Sequence, residues 1–385
     1  MTPHFLVAIS SHGFGHLAQV APIINAMQRL SVCDRLPTFD LSIRSSLPPQ
    51  QIAWRIEHPF RIDRGSDDFG MVMHDALRVD LVQSLRQYAA LHQNWEAEVE
   101  RVANHLSRLH VTHLLANAPY LTLAAANAAN IPSAAICSLN WADILEGCLA
   151  ICPSAVEQSG VSQATLTQIL RQMRDAYASA ALVIRPEPAI RTTGFSTITT
   201  EPLVDQPPAA QRANLLAFAR DASGDYLSGH SDCWLVLTSM GGIALPLHPD
   251  NWPTECLGRK VIYLVSPDLA NDCPHAIGFD LERFGFSTMM ASCDLVLTKP
   301  GYGMFVESRA CGKPMLYIAR DDWPESACLE HWAGSHATKL SLSKVVAGKF
   351  GPQLAHALQA ADAGRICFAG ADTAASLMAR LLFDR

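Results

Sequence analysis

Lys299 stands directly after the strand-like run Asp294-Leu-Val-Leu-Thr298 and directly before Pro300-Gly301-Tyr302-Gly303, where a helix should open with Glu307 inside its first two turns. A mobile cation and the unpaired amides of a helix start then meet at one point, which is what a diphosphate needs. Glu307 lies close enough along that helix to accept hydrogen bonds from both ribose hydroxyls of a nucleotide held there. Taken singly, these residues also make a solvated lysine, a plain glycine turn and a surface glutamate. Their coincidence is what points to phosphate.

A second glycine turn, His12-Gly13-Phe14-Gly15-His16, links a strand to a helix. Gly13 and Gly15 let a ligand approach the backbone, and the helix start offers free N–H groups. Either histidine titrates in the range of a general base, or one of them simply caps and packs the turn. Ser239-Met240-Gly241-Gly242-Ile243 follows another strand and is a candidate for cradling phosphate or base, or a turn and nothing more. In Arg320-Asp321-Asp322-Trp323-Pro324-Glu325 the acids Asp321, Asp322 and Glu325 could bind sugar hydroxyls; the plainer reading is a polar loop. Asp75 and Asp80 of His74-Asp75-Ala-Leu-Arg-Val-Asp80 fall on an expected helix, where they line an acceptor pocket or a solvated face. Asp67-Asp68 and Asp321-Asp322 are carboxylate pairs, but neighbours in sequence do not supply the converging oxygens of a divalent ion, so no metal is expected.

These loops need elements to hold them. Phe5-Leu-Val-Ala-Ile9 is a continuous apolar run followed by the glycine turn and by helical spacing from Val20 to Leu30, the opening of a doubly wound α/β domain. The pattern recurs at His113-Leu-Leu-Ala116, at the alanine-rich helix Leu121 to Ala129, and at the strand Ser133 to Cys137. A helix over Ala164 to Tyr177 and the strand Ala181 to Arg185 close this half, and the proline-bearing stretch Thr197 to Ala210 reads as a linker. Trp234 to Thr238, Val261 to Val265, Leu295 to Thr298 and Met315 to Ile318 are the strands of a second set. The expected division is 1–200, 201–370 and a C-terminal helix in 371–385 that packs back on the first domain.

Composition narrows the partners. A chain of 385 residues exceeds the usual size of a single core, and 49% hydrophobic with 17% charged residues suits a folded α/β protein. The formal charge of −7 gives no general attraction for nucleic acid. Eleven cysteines without a CxxC pair read as free thiols in a reducing compartment. With no signal-peptide pattern, and with prolines and asparagines interrupting the most apolar stretch, a cytoplasmic protein whose membrane contact is at most peripheral is expected.

The run Ser-His12-Gly-Phe-Gly-His16-Leu-Ala-Gln19, the segment Asp68 to Asp80, Ser138-Leu-Asn-Trp141-Ala-Asp, Lys299-Pro-Gly-Tyr-Gly303 and Arg320 to Glu325 resemble the glycosyltransferase-like N-terminal region of plant L-arabinokinases and its stand-alone bacterial relatives. More distantly, the second half resembles the N-acetylglucosaminyltransferase acting on the lipid intermediate of peptidoglycan synthesis, with Lys299 where that enzyme has an arginine. After Lys299-Pro-Gly-Tyr-Gly303 the sequence leaves room for about one subdomain and not for a sugar-kinase fold, so kinase activity is not expected to carry over. The resemblance implies a GT-B architecture, two Rossmann-like domains whose parallel sheets face a central cleft. It implies a nucleoside diphosphate sugar of the UDP type as the donor substrate, no further cofactor, and a small-molecule or lipid-linked acceptor bound near Asp68, Asp75, Asn117 and Trp141. His16 matches the acceptor-activating base, and His12 is the lesser candidate. Asn117 stands where relatives commonly have an aspartate, and an amide cannot ionise to orient an imidazolium. Hydrolysis or epimerisation of the nucleotide sugar, and binding without catalysis, are the other functions such a scaffold would serve.

Overall fold

The computed structural model describes residues 2–33, 35–270, 273–360 and 364–383. The apolar run of β1 (His4–Ile9) is buried along Phe5 to Ile9, as expected of a strand covered on both faces. It pairs in parallel with β2 (Asp40–Ser45) on one side and β4 (His113–Asn117) on the other. With β3 (Arg61–Arg64), β5 (Ser133–Ile136), β6 (Leu182–Pro186) and β7 (Ile198–Thr200) they form one parallel sheet in the order β3-β2-β1-β4-β5-β6-β7. β7 lies inside the stretch read as a linker; three residues are too few to carry a strand signal.

The second sheet contains β8 (Cys233–Thr238), β10 (Arg259–Val265), β11 (Ala276–Gly278), β12 (Leu295–Thr298), β13 (Met315–Ile318) and β14 (Ala337–Leu340) in the order β11-β10-β8-β12-β13-β14. These strands are parallel, and the two-residue β9 (Glu255–Cys256) adds antiparallel to β10. Both sheets therefore turn their order at an interior pair, β1/β4 in one and β8/β12 in the other, and ligands of open α/β sheets bind at the carboxyl ends of such pairs.

Apolar side chains fill both faces of each sheet, and two of the clusters cross between halves. Trp323, from the second half, is buried in the core that holds Tyr120 and Trp141. Ala76 and Leu77, from the first half, are buried with Val236 and Met240 of the second. The helix Gly370–Phe383 returns to the first half, where Ala374, Ala375 and Met378 pack with Val20, Ile24 and Leu203.

That return needs a glycine. A Cβ on Gly370 would stand 2.1 Å from the carbonyl oxygen of Glu201 and 2.4 Å from that of Pro202. We expect Gly370→Val to lift the last helix and lower stability by about 1–3 kcal/mol, the usual cost of overpacking, measured as the urea midpoint. An unchanged midpoint would show that the contact is slack.

Candidate active site

The turning points place four loops together, three of them bearing glycines. The loop after β1 carries His12 to His16, β4 ends at Asn117, the loop after β8 carries Ser239 to Gly242, and Lys299 to Gly301 follow β12. The halves touch here, with the amide of Phe14 donating to the carbonyl of Gly241 at 3.1 Å and that of Ala76 to Ala244 at 3.0 Å. A Cβ on Gly13, which has φ +80°, would stand 2.8 Å from the same Gly241 oxygen, and one on Gly242 (φ +92°) would stand 2.5 Å from the ring of Phe14. Only glycine allows these two loops so close.

Two helix starts converge at this point. The helix Gly15–Val32 and the helix Tyr302–Ala310 each lack a side-chain cap and any acid in the first turn. A Cβ on Gly303 would lie 2.7 Å from the Cβ of Ala18, so the ends are nearly in contact. Their free amides and the positive ends of both dipoles act on the same small volume. Lys299 is buried beside them, its Nζ 3.9 Å from where a Cβ on either Gly241 or Gly301 would stand. Burial lowers its pKa to about 7, Arg320 adding to the effect and Glu325 opposing it. No carboxylate among the described residues is hydrogen-bonded to it.

His16 is buried and its Nδ1 lies 2.8 Å from Oδ1 of Asn117. An amide oxygen only accepts, so Nδ1 carries the proton and Nε2 keeps a free lone pair. Desolvation lowers the pKa to about 4, with the Asn117 bond opposing, so the imidazole is neutral. His12 lies between two indoles, at 5.3 Å from Trp141 and stacked at 5.4 Å on Trp323. Its Nε2 is buried without a hydrogen-bond partner, and burial followed by His16, Arg320 and Lys299 holds its pKa well below the usual value.

Asp68 is joined to this group through Trp141, whose Nε1 donates to Oδ2 at 2.6 Å. Burial, opposed chiefly by that bond, moves its pKa up to about 6. Glu325 is also buried and accepts from Trp323 Nε1 at 3.1 Å and from the Ser138 hydroxyl at 3.4 Å. Glu307 is buried too, and both its oxygens are held by the guanidinium of Arg55 from the first half.

Several sequence expectations are corrected here. Asp75 and Asp80 do not share a helix: Asp75 accepts from the amides of Leu77 and Arg78 in a turn and pairs with the Arg78 side chain, while Asp80 caps the helix Leu81–Gln93. Asp75 thus has local partners, and its charge also reaches Arg320. Asp321 is exposed and lies 3.8 Å from Lys339, and Asp322 accepts the Val79 amide at 2.7 Å, fastening one half to the other. The Met240 side chain is in a core of the second half, and the Tyr302 hydroxyl accepts from the Leu203 amide and donates to the Glu187 carbonyl, so neither of these two side chains is free for the donor. Pro300 is buried at the end of β12. Arg55, Arg320 and Trp323 are the site members that sequence reasoning gave no role. Arg320 is buried 3.9 Å over the Trp323 ring, with burial lowering its pKa to about 10. Among the described residues no group of three or more His, Cys, Asp or Glu gathers as a metal cluster, and no helix is long and apolar enough to cross a membrane.

No family model and no curated protein matches the chain in sequence. Solved structures match it over its length. LpCGTa in complex with UDP superposes with a TM-score of 0.54 at 14% identity, covering 99% of this chain and 94% of that one. CalG4, the calicheamicin glycosyltransferase, gives 0.53 at 12%, covering 100% and 94%. The glycosyltransferase VinC in complex with DTDP gives 0.51 at 12%, covering 98% and 94%. Two Rossmann-like halves with facing turning points, matched throughout by such structures, make this a GT-B fold.

The environment of His16 has a direct readout. Its neutral form should persist in a ¹⁵N NMR titration down to about pH 4, because burial penalises the cation. A midpoint at the ordinary 6.5 would mean that water reaches the ring.

Proposed function

We propose that the chain is a glycosyltransferase that moves a sugar from a nucleoside diphosphate, uridine-based, to an acceptor hydroxyl held in the first half. The observation that carries this reading is the meeting of two uncapped helix starts with a desolvated, carboxylate-free Lys299. That much positive potential in a buried space calls for a multiply charged anion. The GT-B fold and the UDP and DTDP complexes of its structural neighbours support a nucleoside diphosphate as that anion.

In the proposed reaction the acceptor O–H gives its proton to Nε2 of His16, the freed oxygen bonds to the anomeric carbon, and the bond from that carbon to the diphosphate oxygen breaks. The electron pair leaves with the nucleoside diphosphate, whose charge Lys299, the Gly301 to Gly303 amides and the Gly13 to Gly15 turn offset. Attack opposite the leaving group inverts the anomeric carbon. Protein donors then supply the stabilisation that a divalent ion supplies elsewhere, and no metal takes part. Glu307 is assigned to the ribose: a carboxylate offers about four lone-pair sites, so one on each oxygen remains beside Arg55 for a diol. Glu325 has one further site per oxygen for donor hydroxyls, and Asp68 with Trp141 borders the acceptor. Because the loops are in hydrogen-bond contact, admitting the donor requires the halves to part.

Calorimetry with UDP tests the donor site. Lys299→Ala should weaken binding about 10- to 100-fold, the range of a charge-assisted hydrogen bond, and Glu307→Ala should weaken it less. Wild-type affinity in both variants would remove the assignment. His16→Ala should keep UDP affinity and lose at least about two orders of magnitude in turnover. Nucleotide release from candidate UDP-sugars without acceptor would instead indicate hydrolysis.

Protons provide an independent check. Above pH about 7 free Lys299 is mostly neutral, whereas a bound diphosphate favours its ammonium form. UDP binding should therefore take up a proton there and weaken as pH rises through that value. Equal binding heats in buffers of different ionisation enthalpy would exclude Lys299 from the phosphate site.

A further inference from the structure

Behind His16 runs a file of side-chain hydrogen bonds whose donors follow one another in one direction, with a single long branch from Asn117 Nδ2 back to the His16 carbonyl at 3.5 Å. His16 Nδ1 donates to Asn117 Oδ1 at 2.8 Å, Asn117 Nδ2 to Gln19 Oε1 at 3.0 Å, Gln19 Nε2 to the Ser138 hydroxyl at 2.6 Å, and that hydroxyl to Glu325 Oε1 at 3.4 Å. All five residues are buried. The file begins in the first half and ends on a carboxylate of the second.

An amide between two partners can turn end for end; Asn117 Nδ2 also reaches the His16 carbonyl, but at 3.5 Å that bond orients Asn117 only weakly, and Gln19 has no such contact of its own. The carboxylate fixes them in sequence. An ionised Glu325 only accepts, so Ser138 must donate to it and can only accept from Gln19. Gln19 then turns its amide nitrogen to Ser138 and its oxygen to Asn117, which leaves the Asn117 oxygen for His16. We infer that Glu325, acting through Ser138, Gln19 and Asn117, is a positioning residue that sets the tautomer of His16 and so leaves Nε2 unprotonated as the base. In this arrangement the base is correctly protonated only while the two halves are together, because Ser138 and Glu325 meet across the division. An uncharged asparagine can thus stand behind a catalytic imidazole: direction reaches it from the Glu325 carboxylate, whose pKa burial raises while the Trp323 bond, Arg320, Lys299 and the Ser138 bond favour its anionic form.

This inference rests on the proposed role of His16 as base, and its test does not depend on turnover. In ¹⁵N-labelled protein the two neutral tautomers of histidine give distinct ring-nitrogen shifts. Wild-type His16 should carry its proton on Nδ1. Glu325→Gln is the discriminating variant, because Trp323 Nε1 requires the amide oxygen on its side. The new NH2 group then faces Ser138, every bond in the file reverses, and the His16 proton moves to Nε2. Ser138→Ala, which interrupts the file without touching its end, should give a mixture of tautomers, and Ser138→Thr should restore the Nδ1 form. Turnover in Glu325→Gln should fall by about the factor seen for His16→Ala while UDP still binds. An Nε2 proton in the wild type, or an Nδ1 proton that stays in both Glu325→Gln and Ser138→Ala, would overturn the inference. If the wild type moves no sugar but the tautomer follows Glu325, the transferase reading fails and the file stands; if sugar moves and the tautomer ignores Glu325, the file alone fails.

Discussion

An ammonium group removed from water without a bonded carboxylate is the constraint around which this structure is arranged. Burial lowers the pKa of Lys299 to about 7, and the nearest acid acting on it, Glu325, is engaged by Trp323 and Ser138. Two bare helix starts add positive potential to the same space. The neighbouring groups are consistent with that excess: both histidines are held neutral by burial, and Arg320 spends its charge on an indole face and the Leu77 carbonyl. A protonated His12 beside Lys299 and Arg320 would add a third cation to a volume with little water to screen it.

The division between the halves is not a simple seam. Trp323 reaches into one core and Leu77 into the other, while Arg55 and Glu307, and Asp322 and the Val79 amide, pair across it. Those contacts determine which groups meet at the turning points of the sheets. They also explain why the catalytic candidates are contributed by both halves, with His16 and Asn117 from one and Lys299 and Glu325 from the other.

What the sequence revealed was local. Strand, turn and helix succeed one another within a dozen residues around Lys299 and around His12 to His16, and apolar runs with glycines mark them without reference to the rest of the chain. What escaped was long-range. Arg55 sits in an unremarkable stretch, 252 positions from Glu307, and nothing in its neighbours announces the pairing. The file behind His16 joins residues 98 to 187 positions apart. Asp75 was misread for a different reason: its short carboxylate competes for backbone amides and makes a turn where spacing alone allowed a helix. Met240 was grouped with its glycines, yet a thioether beside Val236 and Leu245 belongs to the core.

The helix Gly370–Phe383 supplies Ala374, Ala375 and Met378 to the core beneath β1, the opening strand of the chain. On the ribosome, the half that emerges earlier therefore waits with an apolar face uncovered until residues 374–378 have been synthesised. Its partner half can close around β8 to β14 in the meantime, so the order of translation and the order of completion run in opposite directions.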